Sequence, residues 1–191
     1  MVKAVQKRTL ETRAKLVTAA EAIIAAEGYS AMRVEQVVQR AGVAKGTFFA
    51  HFADKDALME RIIGARIDAC LDDIAKLPTP KTVDSLVSHL MPLLNLMTCE
   101  RYVFDVIIRH SGAAVKEEMG PIAQTFTRQI EVVASWMDDG PFRSDVPAEL
   151  LAEGVQAFCV QAIALHFCAV NSQEPMASRL TSYLEAWLKP R

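Results

Sequence analysis

Apolar residues recur at helical spacing along nearly the whole chain. Leu16, Ala20, Ile23 and Ile24 stand at i, i+4, i+7 and i+8. They mark one face of a helix predicted from about Thr9 to Glu27, with Gly28 as its stop. Val34, Val37, Val38 and Ala41 repeat the rhythm over a short second helix that ends at Gly42. A third short helix is predicted from near Ala44 to about Phe52. The stretch "ADKDALMERIIGARIDACLDDIAKL" reads as a long fourth helix, with Asp54 as its N-cap and Asp56 in its first turn. Pro78 and Pro80 end it.

Further on, residues 82–98 are helical in pattern but contain Pro92, which predicts a kink or a break. Residues 99–111 form a short helix candidate. From Pro121 to about Trp136 the positions Ile122, Phe126, Ile130, Val133 and Met137 keep helical spacing, with Pro121 suited to a first turn. The run "DDGPFRSDVP", Asp138 to Pro147, is a loop. Two last helices are predicted over 148–170 and 175–188. In the first, Leu151, Val155, Phe158, Ala162, Leu165 and Ala169 form one stripe, while Val160, Ile163, Phe167 and Val170 lie on other sides. In the second, Leu180, Tyr183, Leu184, Trp187 and Leu188 share a face. A helix apolar nearly all round needs cover on more than one side. The simplest cover is a second copy, so the last two helices are expected to form a homodimer interface.

Composition supports an all-α chain: 191 residues, 51% hydrophobic, with only 8 Gly and 8 Pro. The four cysteines (Cys70, Cys99, Cys159 and Cys168) are widely and irregularly spaced, a pattern of reduced thiols rather than a disulfide framework. The opening "MVKAVQKRTLETRAK" has no apolar core and does not suit a secretory signal. The apolar stretch Phe158–Val170 is too short for a bilayer and contains Gln161 and His166. A soluble, cytoplasmic protein without membrane contact is expected. Charge is uneven: residues 1–55 carry nine Lys/Arg against five Asp/Glu, a net +4, and the remainder carries a net −6. A basic head on an acidic body suits a polyanionic partner.

The segment "VEQVVQRAGVAKGTFFAHFADKDAL", Val34 to Leu58, gives that partner an address. Two short helices joined by a Gly-containing turn make a helix-turn-helix, whose second helix can enter the major groove of double-stranded DNA. Gly42 supplies the positive φ of the turn. Val43, Phe48 and Phe52 anchor the third helix, which leaves Lys45, Gly46, Thr47 and Ala50 outward. Small residues let a helix sit deep in the groove, Lys45 can donate to a guanine edge, and Thr47 can meet a base or a phosphate. The basic Lys3, Lys7 and Arg8 are an arm that either enters a minor groove or stays in solvent.

The run "RAGVAKGTFFAHFADKDAL" resembles the DNA-binding domain of the tetracycline-repressor (TetR) family of bacterial transcription regulators, over about residues 10–60. The resemblance implies a three-helix DNA-binding domain over 1–54, linked by a long helix to a helical effector-binding and dimerisation domain over 55–191. By position it places Lys45, Gly46, Thr47, Phe49 and Ala50 on the groove-facing part of the recognition helix. His51 and Lys55 fall where phosphate contacts are usual, and Arg33 falls at the start of the second helix. Two departures stand out. "Met-Arg-Val" replaces the family's usual Thr cap, and Phe49 stands where Tyr is commoner, so it can touch a thymine methyl but offers no hydroxyl.

The resemblance also implies a small-molecule pocket in the larger domain. Its apolar lining is expected from Met59, Ile62, Met91, Leu94, Met97, Phe104, Ile107, Phe126 and Phe158. The polar residues that interrupt those helices include His89, Asn95, Tyr102, Arg109, His110, Gln124 and His166. Of these, Met91, Asn95, Tyr102, Phe104, Arg109, Phe126 and His166 are the candidate effector residues, suited to an apolar or aromatic molecule. No catalytic residue, cofactor or metal site is expected. The His and Cys residues never cluster at ligand spacing, and no H-E-x-x-H, P-loop, G-x-S-x-G or G-x-G-x-x-G occurs. The rival reading is a helical protein–protein adaptor, which leaves the outward Lys-Gly-Thr unexplained.

Overall fold

In the computed structural model the order is α1 (Val2–Glu27), α2 (Val34–Ala41), α3 (Lys45–Phe49), α4 (Lys55–Ile74) and α5 (Val83–Met97). Then come α6 (Arg101–Ser111), α7 (Pro121–Asp139), α8 (Ala148–His166) and α9 (Met176–Leu188). The structure describes residues 2–112, 119–168, 170 and 173–189, and for residues 2–6 and Asp139 the backbone alone. Ala169 of the expected stripe and the side chain of Lys3 therefore lie outside the described residues. Among the described residues the chain is all-α. It divides into two compact units, Met1–Ile63 and Gly64–Arg191, so the division falls inside α4, nine residues beyond the boundary expected at its head (63 against 54).

In the first unit, Leu16, Ala20, Ile23 and Ile24 are all buried, as their spacing predicts. Gly28 ends α1 at φ 90°, with its N–H bonded to the carbonyl of Ile24 at 2.8 Å. The start of α1 differs from the expectation: it is Val2 rather than Thr9. Nothing before Thr9 is Gly or Pro, and Lys, Ala, Gln and Arg favour helix, so propagation has no stop there. The basic residues Lys7 and Arg8 thus belong to a helix, not to an extended arm. At α2, Arg33 takes the N-cap position but has no acceptor to give. Only the returning half of a capping box forms, as its N–H donates to Gln36 Oε1 at 2.9 Å. Asp54 caps α4 as expected, its Oδ1 accepting from Ala57 N–H at 2.7 Å.

In the second unit α8 packs against both α7 and α9, and α9 also packs on α5. The reciprocal Thr82–Ser85 pair caps α5: Ser85 N–H donates to Thr82 Oγ1 at 3.1 Å and Thr82 N–H to Ser85 Oγ at 3.0 Å. The helix then runs through Pro92 without ending there. Pro92 and Ser88, whose carbonyl it leaves unpaired, are both exposed, so water can serve that carbonyl. The first nine residues of the apolar stretch expected to be too short for a bilayer, Phe158–His166, lie in α8, which starts ten residues earlier. By length and mean hydropathy (1.3) α8 is one helix long and apolar enough to cross a membrane. Its packing between α7 and α9 gives that apolar surface a protein neighbour.

Two close approaches shape this unit. An added Cβ at Gly64 would lie 2.8 Å from Pro121 Cβ, so α4 meets the start of α7 almost backbone to backbone. One turn and two turns further, Arg128 of α7 pairs with Asp68 and Asp72 of α4 and also donates to the Asp68 carbonyl at 3.0 Å. At the other side Gly154 of α8 lies under the indole of Trp187, where an added Cβ would meet Nε1 at 2.4 Å. The same indole N–H donates to the Leu151 carbonyl at 3.2 Å. Gly154→Ala is therefore expected to destabilise the chain by about 1–3 kcal/mol through overpacking. Gly46→Ala, whose new Cβ meets nothing within 4 Å, is expected to be neutral or stabilising. Urea unfolding of the two variants checks the contrast.

Candidate nucleic-acid interface

The interface is built on a very short helix. Five residues cannot hold a helix by themselves in water, so α3 depends on what it is packed against. Phe48 is fully buried and Phe52 nearly so, with ring centroids 5.7 Å apart. The guanidinium of Arg13 from α1 lies 5.1 Å from the Phe52 centroid, a cation–π contact that ties α1 to the end of this segment. On the approach side Gly42 takes φ 67°, and the N–H of Val43 bonds to the Val38 carbonyl at 3.1 Å. The chain thus leaves α2 in a left-handed turn that an L side chain disfavours.

With Phe48 inward, the helical repeat turns its neighbours outward. Lys45, Gly46, Phe49 and Ala50 are exposed, and Thr47 and His51 are half-buried at the edges. Phe49 is 49% exposed, a large apolar side chain left in water, with its ring edge-on to Phe48 at 5.3 Å. Arg33 is exposed at the head of α2. Lys55, half-buried at the head of α4, reaches toward the Ser30 carbonyl at 3.4 Å. The first unit therefore carries Arg33, Lys45, Gly46, Thr47, Phe49, Ala50, His51 and Lys55 between the N-cap of α2 and the first residue of α4.

One residue on this surface is absent from the sequence expectation. Glu35, in the first turn of α2, accepts from Lys45 Nζ at 2.6 Å, and both side chains are more than half exposed. The Lys45 hydrogen bond is the main reason that the Glu35 carboxyl sits below its ordinary value of 4.5. An exposed ion pair of this kind contributes little to stability. The signal that could have revealed it is geometric: the turn at Gly42 brings the first turn of α2 beside the first residue of α3.

The candidate effector residues do not converge in the same way. Met91, Tyr102, Phe104 and Phe126 are half-buried, whereas Asn95, Arg109 and His166 are exposed. Phe104 meets Phe167 at 5.3 Å, and Arg101 stacks over both rings. A cavity of about 410 Å³ walled in part by Met137, Arg143, Asp145 and Leu151 contains none of the seven. Sequence reasoning also missed a partly buried polar pair: Gln156 of α8 donates to the Phe126 carbonyl at 2.7 Å and to the buried Gln129 Oε1 at 3.3 Å. Cys159 is fully buried and burial pushes its thiol up to about 12, which makes it an inert core residue.

Residues 16–62 match the family model for bacterial regulatory proteins of the tetR family, a span that contains α2, α3 and the turn between them. Over that span the chain is similar to the DNA-binding domain of tetR-family regulators. The HTH-type transcriptional repressor DhaR of Mycobacterium sp. (strain GP1) is 24% identical over 184 residues, covering 92% of each chain. Among solved structures, RolR in complex with resorcinol aligns with a TM-score of 0.66 at 16% identity, covering 97% of this chain and 91% of RolR. The Thermus thermophilus FadR repressor in complex with lauroyl-CoA aligns with a TM-score of 0.65 at 16% identity, covering 92% of each chain. These two structures show a shared fold.

The Glu35–Lys45 pair makes a checkable electrostatic statement. A carboxyl whose folded value is depressed adds stability above its unfolded value, and that contribution fades as pH falls through the folded one. In a carboxyl-carbon NMR titration, Glu35 is expected to titrate below 4.5 in the wild type and to move up toward 4.5 in Lys45→Ala.

Proposed function

We propose that this regulator is a cytoplasmic repressor that binds a palindromic operator in double-stranded DNA as a homodimer and leaves it when a small apolar or aromatic effector binds. The observation that carries this reading is the exposed Lys45–Ala50 face, backed by a fully buried Phe48. In that role Lys45 donates to a guanine edge and Gly46 and Ala50 allow close approach. Phe49 lies against a thymine methyl. Thr47, His51, Lys55 and Arg33 meet phosphates at the rim, where contacts position the protein without reading sequence.

Dimerisation through α8 and α9 is supported by what those helices leave uncovered. Phe158 and Tyr183 stack at 5.2 Å and are only half-buried in the single chain. Leu150 is 49% exposed, and Ala157 is exposed on the same helix. A second copy would cover this surface and set two reading heads in inverted orientation. Release by an effector requires a molecule that prefers the conformation unfit for the operator. The ligand complexes of RolR with resorcinol and FadR with lauroyl-CoA support an apolar or aromatic choice. Met91, Asn95, Tyr102, Phe104, Arg109, Phe126 and His166 remain the candidate residues, with the half-buried aromatic ones first among them.

Selection of duplexes from a random DNA pool is expected to return two inverted half-sites. Sedimentation is expected to give a dimer both with and without DNA. Lys45→Ala is expected to weaken the selected duplex at least tenfold, an effect of the order of one good base contact, with the dimer unchanged. An adaptor without specific DNA binding would select no sequence and would treat wild type and variant alike.

A further inference from the structure

The donor–acceptor pair at the head of α3 is more than a DNA-reading lysine requires. Lys45 Nζ and the Glu35 carboxylate are 2.6 Å apart, with side chains 58% and 65% exposed. Ten residues separate them, so the turn at Gly42 makes the pairing. On a surface that approaches phosphates a carboxylate is unfavourable, since it can only accept hydrogen bonds and repels other anions. It becomes favourable where it meets a donor. In the major groove those donors are the exocyclic amino groups, N4 of cytosine and N6 of adenine, while guanine offers the acceptors O6 and N7. A G·C pair therefore displays acceptors on one base beside a donor on the other. An ammonium held against a carboxylate is the complement of that pattern.

We propose that Glu35 and Lys45 read one G·C pair in each half-site as a unit, Lys45 on guanine and Glu35 on cytosine N4. In this arrangement Glu35 is a specificity-determining residue. Lys45 alone is a mobile point charge that any phosphate satisfies. Beside Glu35 it is restrained near the position where the groove offers guanine acceptors. Against any other base pair, or against the backbone, the carboxylate loses its hydration and gains no donor. Glu35 thus lowers affinity for random DNA while leaving the cognate site nearly untouched. The inference rests on the operator-binding reading above.

The test uses the half-site that the full-length wild type selects. Fluorescence anisotropy then measures wild type, Glu35→Ala, Glu35→Gln, Lys45→Ala and the Glu35→Ala/Lys45→Ala double variant. Each binds the selected duplex, single-base-pair replacements of it, and a random-sequence duplex. Glu35→Ala is expected to lose about tenfold discrimination at one G·C position, a typical value for one base contact. It should gain affinity for the random duplex and keep its other preferences. Lys45→Ala should relax the same position, and the double variant should lose no more there than either single variant. Glu35→Gln, which removes the charge and keeps the shape, should share the gain on random DNA. The proposal is overturned if Glu35→Ala keeps full preference at every position, if the two single variants relax different positions, or if their losses simply add. If the wild type selects no half-site, the operator-binding reading falls first and this inference falls with it.

Discussion

The burial of Phe48 is the constraint from which the exposed face of α3 follows. A helix of five residues has almost no intrinsic stability, so its orientation is whatever its buried side chain dictates. Full burial of a phenylalanine removes a large apolar area from water, and the neighbouring Phe52 adds to the same anchor. Arg13 lays its guanidinium over Phe52, and the left-handed turn at Gly42 sets the angle at which α3 departs from α2. Once Phe48 points inward, the 3.6-residue repeat turns Gly46, Phe49 and Ala50 outward, and Lys45, a long side chain at the exposed head of α3, also reaches solvent. Phe49 is thereby left 49% exposed on that face.

Electrostatics refines this surface rather than creating it. Residues 1–55 carry a net +4 while the rest of the chain carries a net −6, so attraction to a polyanion is concentrated at the amino-terminal end. Such a field speeds encounter and strengthens binding without regard to sequence. In the proposed role Glu35 works against that indifference, because it puts a negative charge beside the lysine at the head of α3. The pair is weak as a source of stability and consequential as a filter. In the second unit, charges do structural work instead: Arg128 links α7 to α4, and its hydrogen bond is the main cause that holds the Asp72 carboxyl below its ordinary range.

Local signals were legible in the sequence and long-range pairings were not. Gly28 and Gly42 mark helix ends because their positive φ is a property of single residues, and Asp54 and Pro121 mark helix starts for equally local reasons. The burial of Leu16, Ala20, Ile23 and Ile24 follows from their spacing alone. The start of α1 at Val2 was missed because the residues before Thr9 carry neither a stop nor an apolar stripe. The passage of α5 through Pro92 depends on which side of the helix meets water, a tertiary fact. The same holds for Glu35 with Lys45, Gln129 with Gln156, and Gly154 beneath Trp187. Each joins residues whose proximity is set by how helices pack, and no spacing rule encodes it.

Hydroxyl-radical labelling of side chains, read by mass spectrometry in the free chain and in the chain bound to its selected duplex, tests the central claim most directly. The account predicts that Phe49 is labelled in the free chain and protected by DNA, while Phe48 and Phe52 stay unlabelled in both. Labelling of Phe48 in the free chain, or labelling of Phe49 that DNA binding leaves unchanged, would contradict it.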